Sequence, residues 1–450
     1  MTGLTAQLAA FTANPRLADL PPRAVEIVQS GFADTIATML AGREEPVVRI
    51  ARDFVAGRQS AAAEASLLLG ERKAAAADAA LVNGAAGHAL DFDDVALGGH
   101  PSTVLVPAVL AEGERLDASG EDALRAYLVG YEVWAELFRR EPDAYHLKGW
   151  HPTAVLGTVG AAAAVASLNK LPQQQCQHAI ALAASMACGL VANFGTMTKP
   201  LHAGRAAAAA IDAVRFAASG LTAAPDAIEH HAGYLAALSP QGRVDRESPA
   251  AGLGRELRVL EYGLSIKKYP TCYATHRVID GVLDLAREHR LRPEDVQEVR
   301  TRIGVAQASM LRNHQPVTGL EAKFSLEFAV ASALVAGKVG LGELTDDFVG
   351  QRAVREVFPK VRIATDDTPC PIEPIFARND SVQIVLRDGR TLETGDIRFA
   401  RGNAMAPLAP ADLRTKFIDC AGRAPDIDAA ALFARLMDLR SVPRLRALAR

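Results

Sequence analysis

Residues 151–168 read HPTAVLGTVGAAAAVASL. The proline at the second position suits the first turn of a helix, where a missing N–H costs nothing. Beyond it the chain is made of small and branched apolar residues with hardly a polar interruption. The same texture recurs at residues 205–219, RAAAAAIDAVRFAAS. Small side chains let helix axes approach closely, so these segments predict buried helices in a tightly packed all-α body. Upstream, the stretch from Pro21 to Gly42 places Val25, Val28, Phe32, Ile36 and Met39 at helical spacing, with two prolines at its start and Gly42 expected as its C-cap.

The texture changes after about Leu264. A helix is expected from His276 to His289, its apolar face carried by Val278, Ile279, Val282, Leu283 and Leu285. Then Val299, Thr301, Ile303 and Val305 alternate with Arg300 and Arg302, the signature of a half-buried strand. Residues 381–399, SVQIVLRDGRTLETGDIRF, form a hairpin pattern around Asp388-Gly389. Helical spacing returns from about Pro407, through Leu413, Phe417, Leu432 and Leu439. The fold expected is mostly α: a large all-helical domain, residues 1–264 plus 404–450, with a smaller α+β lid domain, 265–403, inserted in it.

Composition narrows the function. The 450 residues are 49% hydrophobic and 22% charged, with a net charge of −3. No basic field is available to hold nucleic acid. No apolar run reaches the ~18 residues of a membrane span. The five cysteines, Cys176, Cys188, Cys272, Cys370 and Cys420, are dispersed and odd in number, unlike a secreted disulfide framework. The first residues carry no basic stretch before an apolar run, so no signal peptide is expected, and a cytoplasmic protein is.

A local grammar recurs at expected helix starts. His100-Pro101-Ser102 opens one apolar run, His151-Pro152-Thr153 a second and Lys199-Pro200 a third. Tyr269-Pro270-Thr271-Cys272 leads to His276 at the start of a fourth. A residue before proline is pushed out of the α region, which places His100, His151 and Lys199 at helix boundaries. Free N–H groups and the positive dipole end favour an anion there. A histidine in such a place tends to stay neutral and can act as a base, while a lysine supplies fixed positive charge. Asp91, Asp93 and Asp94, in HALDFDD, could hold and polarise a histidine.

Each of these residues also has an ordinary explanation. A His-Pro pair can be a cap, Lys199 a surface lysine, Asp91–Asp94 a solvated turn, His88 a packed core residue and Cys272 a buried thiol. The Asp93-Asp94 pair is compatible with a Mg²⁺-binding aspartate motif, but Leu97 stands where a third aspartate is needed. No HExxH, paired CxxC, Walker loop or GxGxxG after a strand is present. No metal and no cofactor are expected.

The stretches GHALDFDD, GHPSTVLVPA, GWHPTAVLGTVGAAAA, NFGTMTKPLHAGRAA, KKYPTCYATH, EAKFSLEFAVASAL and LRTKFIDC resemble the MmgE/PrpD family, which includes 2-methylcitrate dehydratase, cis-aconitate decarboxylase and iminodisuccinate epimerase. They run in the family's order over about residues 80–420. The resemblance implies a helical domain with an inserted α+β lid, a homodimer, and active-site positions at Asp91, His100, His151, Lys199 and His276. Ser102, His202 and Lys267, in the same motifs, are expected to bind substrate. Val95 and Ala96 depart from the dehydratase and decarboxylase branches, which carry Thr and Trp there, and Phe328 departs from the decarboxylase branch, which carries Tyr. GTMTKP, KKYPTCYATH and EAKFSLE are more similar to the epimerase branch.

Dehydration, decarboxylation and epimerisation share one elementary step, making or quenching a carbanion beside a carboxylate. The expectation is therefore a cofactor-independent lyase or epimerase acting on a small di- or tricarboxylate. Asp91 is expected to orient one imidazole, and the histidines and Lys199 to converge on one pocket. Two alternatives remain at this level: a non-catalytic carboxylate-binding protein on the same fold, and a Mg²⁺-dependent all-α synthase using Asp93 and Asp94.

Overall fold

A computed structural model describes residues 3–448 apart from 16, 18, 19, 59, 71 and 373–375. The chain divides into two compact units, residues 1–266 with 409–450 and residues 267–408. The fold is mostly α, with its larger sheet confined to the second unit.

The first unit is a body of helices: α1 (Leu4–Ala13), α2 (Pro22–Gly42), α3 (Pro46–Gly57), α4 (Ala76–His88), α5 (Ser102–Leu116), α6 (Gly120–Arg139), α7 (Pro152–Leu168), α8 (Gln173–Met186) and α9 (Thr198–Ala218). A short antiparallel ribbon, β1 (Ala65–Ser66) and β2 (Lys73–Ala74), interrupts it. The helices Pro410–Ala421 and Ala429–Met437 pack on α2. Helix α7 is buried almost all round, as its lack of a polar face requires. Its small residues serve close approach: a Cβ on Gly130 of α6 would lie 2.8 Å from the carbonyl oxygen of Gly160 in α7. The α4–α9 crossing is tighter still, since a Cβ on Gly204 would lie 2.1 Å from the Leu81 carbonyl oxygen. Gly42 differs from its expected role. It is the last residue of α2, with Arg43 at the cap, and it is small because a Cβ would meet the Ala86 carbonyl oxygen of α4 at 2.3 Å.

The second unit holds a four-stranded mixed sheet in the order β4-β3-β5-β6, from β3 (Val296–Gly304), β4 (Val361–Asp366), β5 (Ser381–Leu386) and β6 (Thr391–Glu393). In β3 the residues Val299, Thr301 and Ile303 are buried while Arg300 and Arg302 face outward. The strand stops at Gly304. Val305, expected to continue it, instead begins the short helix Val305–Met310 and is exposed. Strands β5 and β6 pair antiparallel across the Asp388-Gly389 turn, where Gly389 takes φ +90°. Strand β3 runs parallel to β4, and the connection between them contains the buried helix Leu326–Ala336. That helix and His276–His289 form the unit's core with the sheet, Phe328 within it. Among the described residues, no helix is long and apolar enough to cross a membrane.

The glycine crossings give a stability test. Gly204→Ala must push α9 off α4 and should cost about 1–3 kcal/mol in denaturant unfolding, the usual range for overpacking. Gly57→Ala, which meets nothing within 4 Å, should be neutral or slightly stabilising. Equal effects of the two would contradict the packing described.

Candidate functional site

Four places in the first unit bring the polar residues together. Helix α4 ends at His88. The chain then turns sharply, with Asp91 in the left-handed region at φ +53° and its N–H donated to the His88 carbonyl at 3.1 Å. A non-glycine residue there is strained and persists only where its surroundings fix it. His100 sits one residue ahead of Pro101, the N-cap of α5. His151 is the N-cap of α7, its N–H held by the Gly189 carbonyl at 2.9 Å. The backbone N–H of His100 donates to Thr153 Oγ1 in the first turn of α7 at 3.2 Å, so the two histidine loops are tied directly. Gly99 permits this, since a Cβ there would lie 2.8 Å from the Thr153 nitrogen.

Lys199 differs from its expected position. Helix α9 begins at Thr198, so Lys199 and Pro200 lie inside its first turn rather than at its boundary. First-turn N–H groups have no intrahelical acceptor, so Pro200 loses no hydrogen bond there. Lys199 Nζ reaches Asp91 Oδ1 at 2.5 Å and lies 5.5 Å from the centre of the Phe194 ring. One turn further on, His202 Nδ1 is 3.2 Å from His151 Nδ1.

Asp93, not Asp91, is the residue that orients an imidazole. Its fully buried carboxylate lies 2.9 Å from His88 Nδ1, and its Oδ2 is 3.1 Å from His100 Nδ1. Asp91 Oδ1 stands 3.9 Å from His100 Nε2, beyond hydrogen-bond reach, and is occupied by Lys199. Burial alone would raise the pKa of Asp93, but the two imidazoles overcome this and hold it well below the carboxylate range. An ionised carboxylate only accepts, so His88 donates Nδ1–H to it. Burial is the largest effect on His88 and pushes it down to about 4 against the pull of Asp93, which leaves a neutral ring. His151 is shifted strongly down by burial and then by Lys199, and His202 is lowered for the same two reasons. The rings are contiguous: His88 meets His100 edge-on at 4.4 Å and stacks on His151 at 5.9 Å, and Phe194 closes on His151 at 4.8 Å.

Ser102 is placed differently from its expected substrate-binding role. It is fully buried, and its hydroxyl donates to Asp94 and lies 2.7 Å from Tyr127 Oη. Burial, then the charge of Asp34, raises Asp94 well above the carboxylate range, so this is an internal network tending to neutrality. In the second unit, His276 is the first residue of its helix and fully buried. It stands between the rings of Tyr269 and Tyr273, with Nε2 3.3 Å from the Thr271 carbonyl oxygen. Lys267 is also buried.

Ligand-type atoms of His88, Asp91, Asp93 and His100 lie within 4.8 Å of one another, a grouping that could hold a cation. Spacing of 88, 91, 93 and 100 along the chain gives no hint of it. The Lys199 ammonium already neutralises Asp91 and opposes a second cation, and the Asp93 carboxylate is already engaged by the His88 imidazole. The arrangement therefore offers neutral imidazoles that can exchange protons beside one fixed positive charge, with an oriented carboxylate behind them.

Both halves of the chain match the same family. The MmgE/PrpD N-terminal domain matches residues 6–247 and the MmgE/PrpD C-terminal domain residues 269–438, so the chain belongs to the MmgE/PrpD family. Its relatives include cis-aconitate decarboxylase of Mus musculus, 31% identical over 354 residues covering 75% of this chain and 70% of that protein. Cis-aconitate decarboxylase of Homo sapiens is 30% identical over 352 residues, 75% and 71% of the two chains. That of Aspergillus terreus is 24% identical over 368 residues, 77% and 74%.

The electrostatics predict acid sensitivity. His88 binds its proton less readily folded (about 4) than unfolded (6.5). Between those values the unfolded chain carries more protons, so stability is full above pH 6.5 and falls as the pH drops toward 4. The loss is on the order of 3 kcal/mol for this ring, and His151 and His202 shift in the same direction. Calorimetry from pH 7.5 to 4 should show the decline, shallower in His88→Asn. An unchanged midpoint across that range would contradict it.

Proposed function

We propose that the protein is a cofactor-independent enzyme that makes or quenches a carbanion beside a carboxylate of a small di- or tricarboxylate. The observation that carries this reading is the pairing of a neutral, buried His151 with a Lys199 ammonium fixed by Asp91. The ammonium would bind a substrate carboxylate and stabilise the negative charge that develops on it. His151 and His100 would handle the protons, with the Asp93 carboxylate standing 3.1 Å from His100 Nδ1.

The curated relatives make cis-aconitate the first substrate to test. In a decarboxylation, the electron pair of the breaking C–C bond stays on the substrate as carbon dioxide leaves, and a proton from water, relayed through a histidine N–H, then goes to carbon so that the ring ends neutral as it began. A second reading, epimerisation, is favoured by two side chains. Val95 and Phe328 supply no hydroxyl where the resemblance places Thr and Tyr in the decarboxylases. Phe328 lies wholly within the core of the second unit. Abstraction by one histidine and delivery by another on the opposite face would invert a carbon without releasing any group. The resemblance adds His276 and Lys267 to the set that serves the substrate. We also propose a cytoplasmic homodimer, for which a monomer mass by light scattering at micromolar concentration would be contrary.

The test is incubation in D₂O with 2-methylcitrate, cis-aconitate and iminodisuccinate, followed by NMR. Deuterium entry at the carbon next to a carboxylate, with loss of carbon dioxide, loss of water or inversion, supports the reading and names the reaction. Binding without exchange for all three would favour a carboxylate-binding protein. His151→Ala should slow turnover about 10²-fold or more, whereas Lys199→Ala should raise KM as well as lower kcat. Unchanged turnover in His151→Ala would overturn the assignment.

A further inference from the structure

We infer that Lys416, in the helix Pro410–Ala421, is a positioning residue for the Asp91–Asp93 turn. Its side chain is only 4% exposed, and its ammonium meets three partners at once. Nζ donates to the Phe92 carbonyl oxygen at 2.7 Å, pairs with the buried Asp34 at 2.5 Å and lies 3.8 Å from the centre of the Phe92 ring. Phe92 stands between the two aspartates that organise the site. Its carbonyl belongs to the Phe92–Asp93 peptide, the one that leads directly into the carboxylate held by His88.

That peptide needs fixing. Asp91 holds a left-handed backbone, which a non-glycine residue leaves readily unless its neighbours are tied. Asp91 is tied through its side chain to Lys199, and its N–H to His88. Lys416 holds Phe92 and the Phe92–Asp93 peptide, by hydrogen bond and by ring contact together. Asp34 in turn makes a buried ammonium tolerable. Burial, the largest effect on Asp34, raises its pKa, and Lys416 opposes the rise. The segment that follows the second unit in sequence therefore takes part in shaping a turn more than 300 residues earlier, and the LRTKFIDC motif gains a task. The consequence for turnover rests on the proposed proton chemistry; the consequence for the geometry of the turn does not.

The full-length chain tests this through Asp34→Asn and the double variant Asp34→Asn/Lys416→Met. Lys416→Met alone would strand a buried carboxylate and is expected to unfold the protein easily. Asp34→Asn leaves the ammonium its carbonyl and ring contacts but no counter-charge, whereas in the double variant both charges are gone, so its thermal midpoint should be no lower than that of Asp34→Asn. Asp34→Asn keeps the tie to Phe92, so turnover should remain within about 3-fold of the wild type. The double variant should lose 10-fold or more in kcat with KM changed less than 3-fold, since the turn wanders while Lys199 remains. Independently of any substrate, the low-field proton of the His88–Asp93 hydrogen bond should persist in Asp34→Asn and shift or broaden away in the double variant. If the double variant is folded and keeps both that proton signal and the turnover of Asp34→Asn, Lys416 is only a charge partner and the inference fails. A wild type that turns over no carboxylate would defeat the proposed function while leaving the proton signal to decide the role of Lys416.

Discussion

The carboxylate of Asp93, buried between two imidazoles, is the constraint on which the rest of the first unit's polar interior depends. A buried charge is expensive unless paired and hydrogen-bonded. Here His88 donates to it and His100 stands against it. With Asp93 ionised, His88 has one tautomer open to it. With His88 packed on both His100 and His151, the ring planes are set as a group. The same low-dielectric surroundings that strengthen these contacts keep His88 and His151 neutral, which is the state a proton acceptor needs.

Around this centre the helices act as supports. Glycine crossings at Gly84, Gly204, Gly130 and Gly160 bring α4 to α9 and α6 to α7 close enough that loop ends from distant parts of the chain meet. The family domains and the compact units divide the chain differently. The C-terminal family domain runs from 269 to 438, whereas residues from 409 onward pack with the first unit. Both last helices pack on α2, and the interactions of Lys416 with Asp34 and Phe92 add a polar tie between the first of them and the helical body.

Much of this was legible in the sequence. Alanine-rich runs opened by proline marked the helices, the period-two alternation at 299–303 marked β3, and Asp388-Gly389 marked a hairpin, because each is a local rule with a local cause. What local rules cannot carry was missed. The pairing of β3 with β4 is parallel and crosses some 55 residues of chain. The strand's end at Gly304, one residue short of Val305, follows from a helix beginning there. Within the site, HALDFDD was read as a carboxylate source, but the choice of Asp93 over Asp91 turns on a backbone with φ +53° that directs neighbouring side chains unequally. His88 looked like a core residue because it is one; its role comes from what it touches. Ser102 stands beside His100 in sequence, yet its hydroxyl turns to Asp94 and Tyr127.

In the proposed chemistry the charge of Asp93 acts through the His88 imidazole it orients and the His100 ring beside it. Asp93→Asn keeps the size and most of the packing of the residue while removing the charge, and it can be compared with the wild type on whichever carboxylate the wild type turns over. A loss in kcat of about 10²-fold or more is expected, with the variant still folded. Turnover within 2-fold of the wild type in a folded Asp93→Asn protein would contradict it.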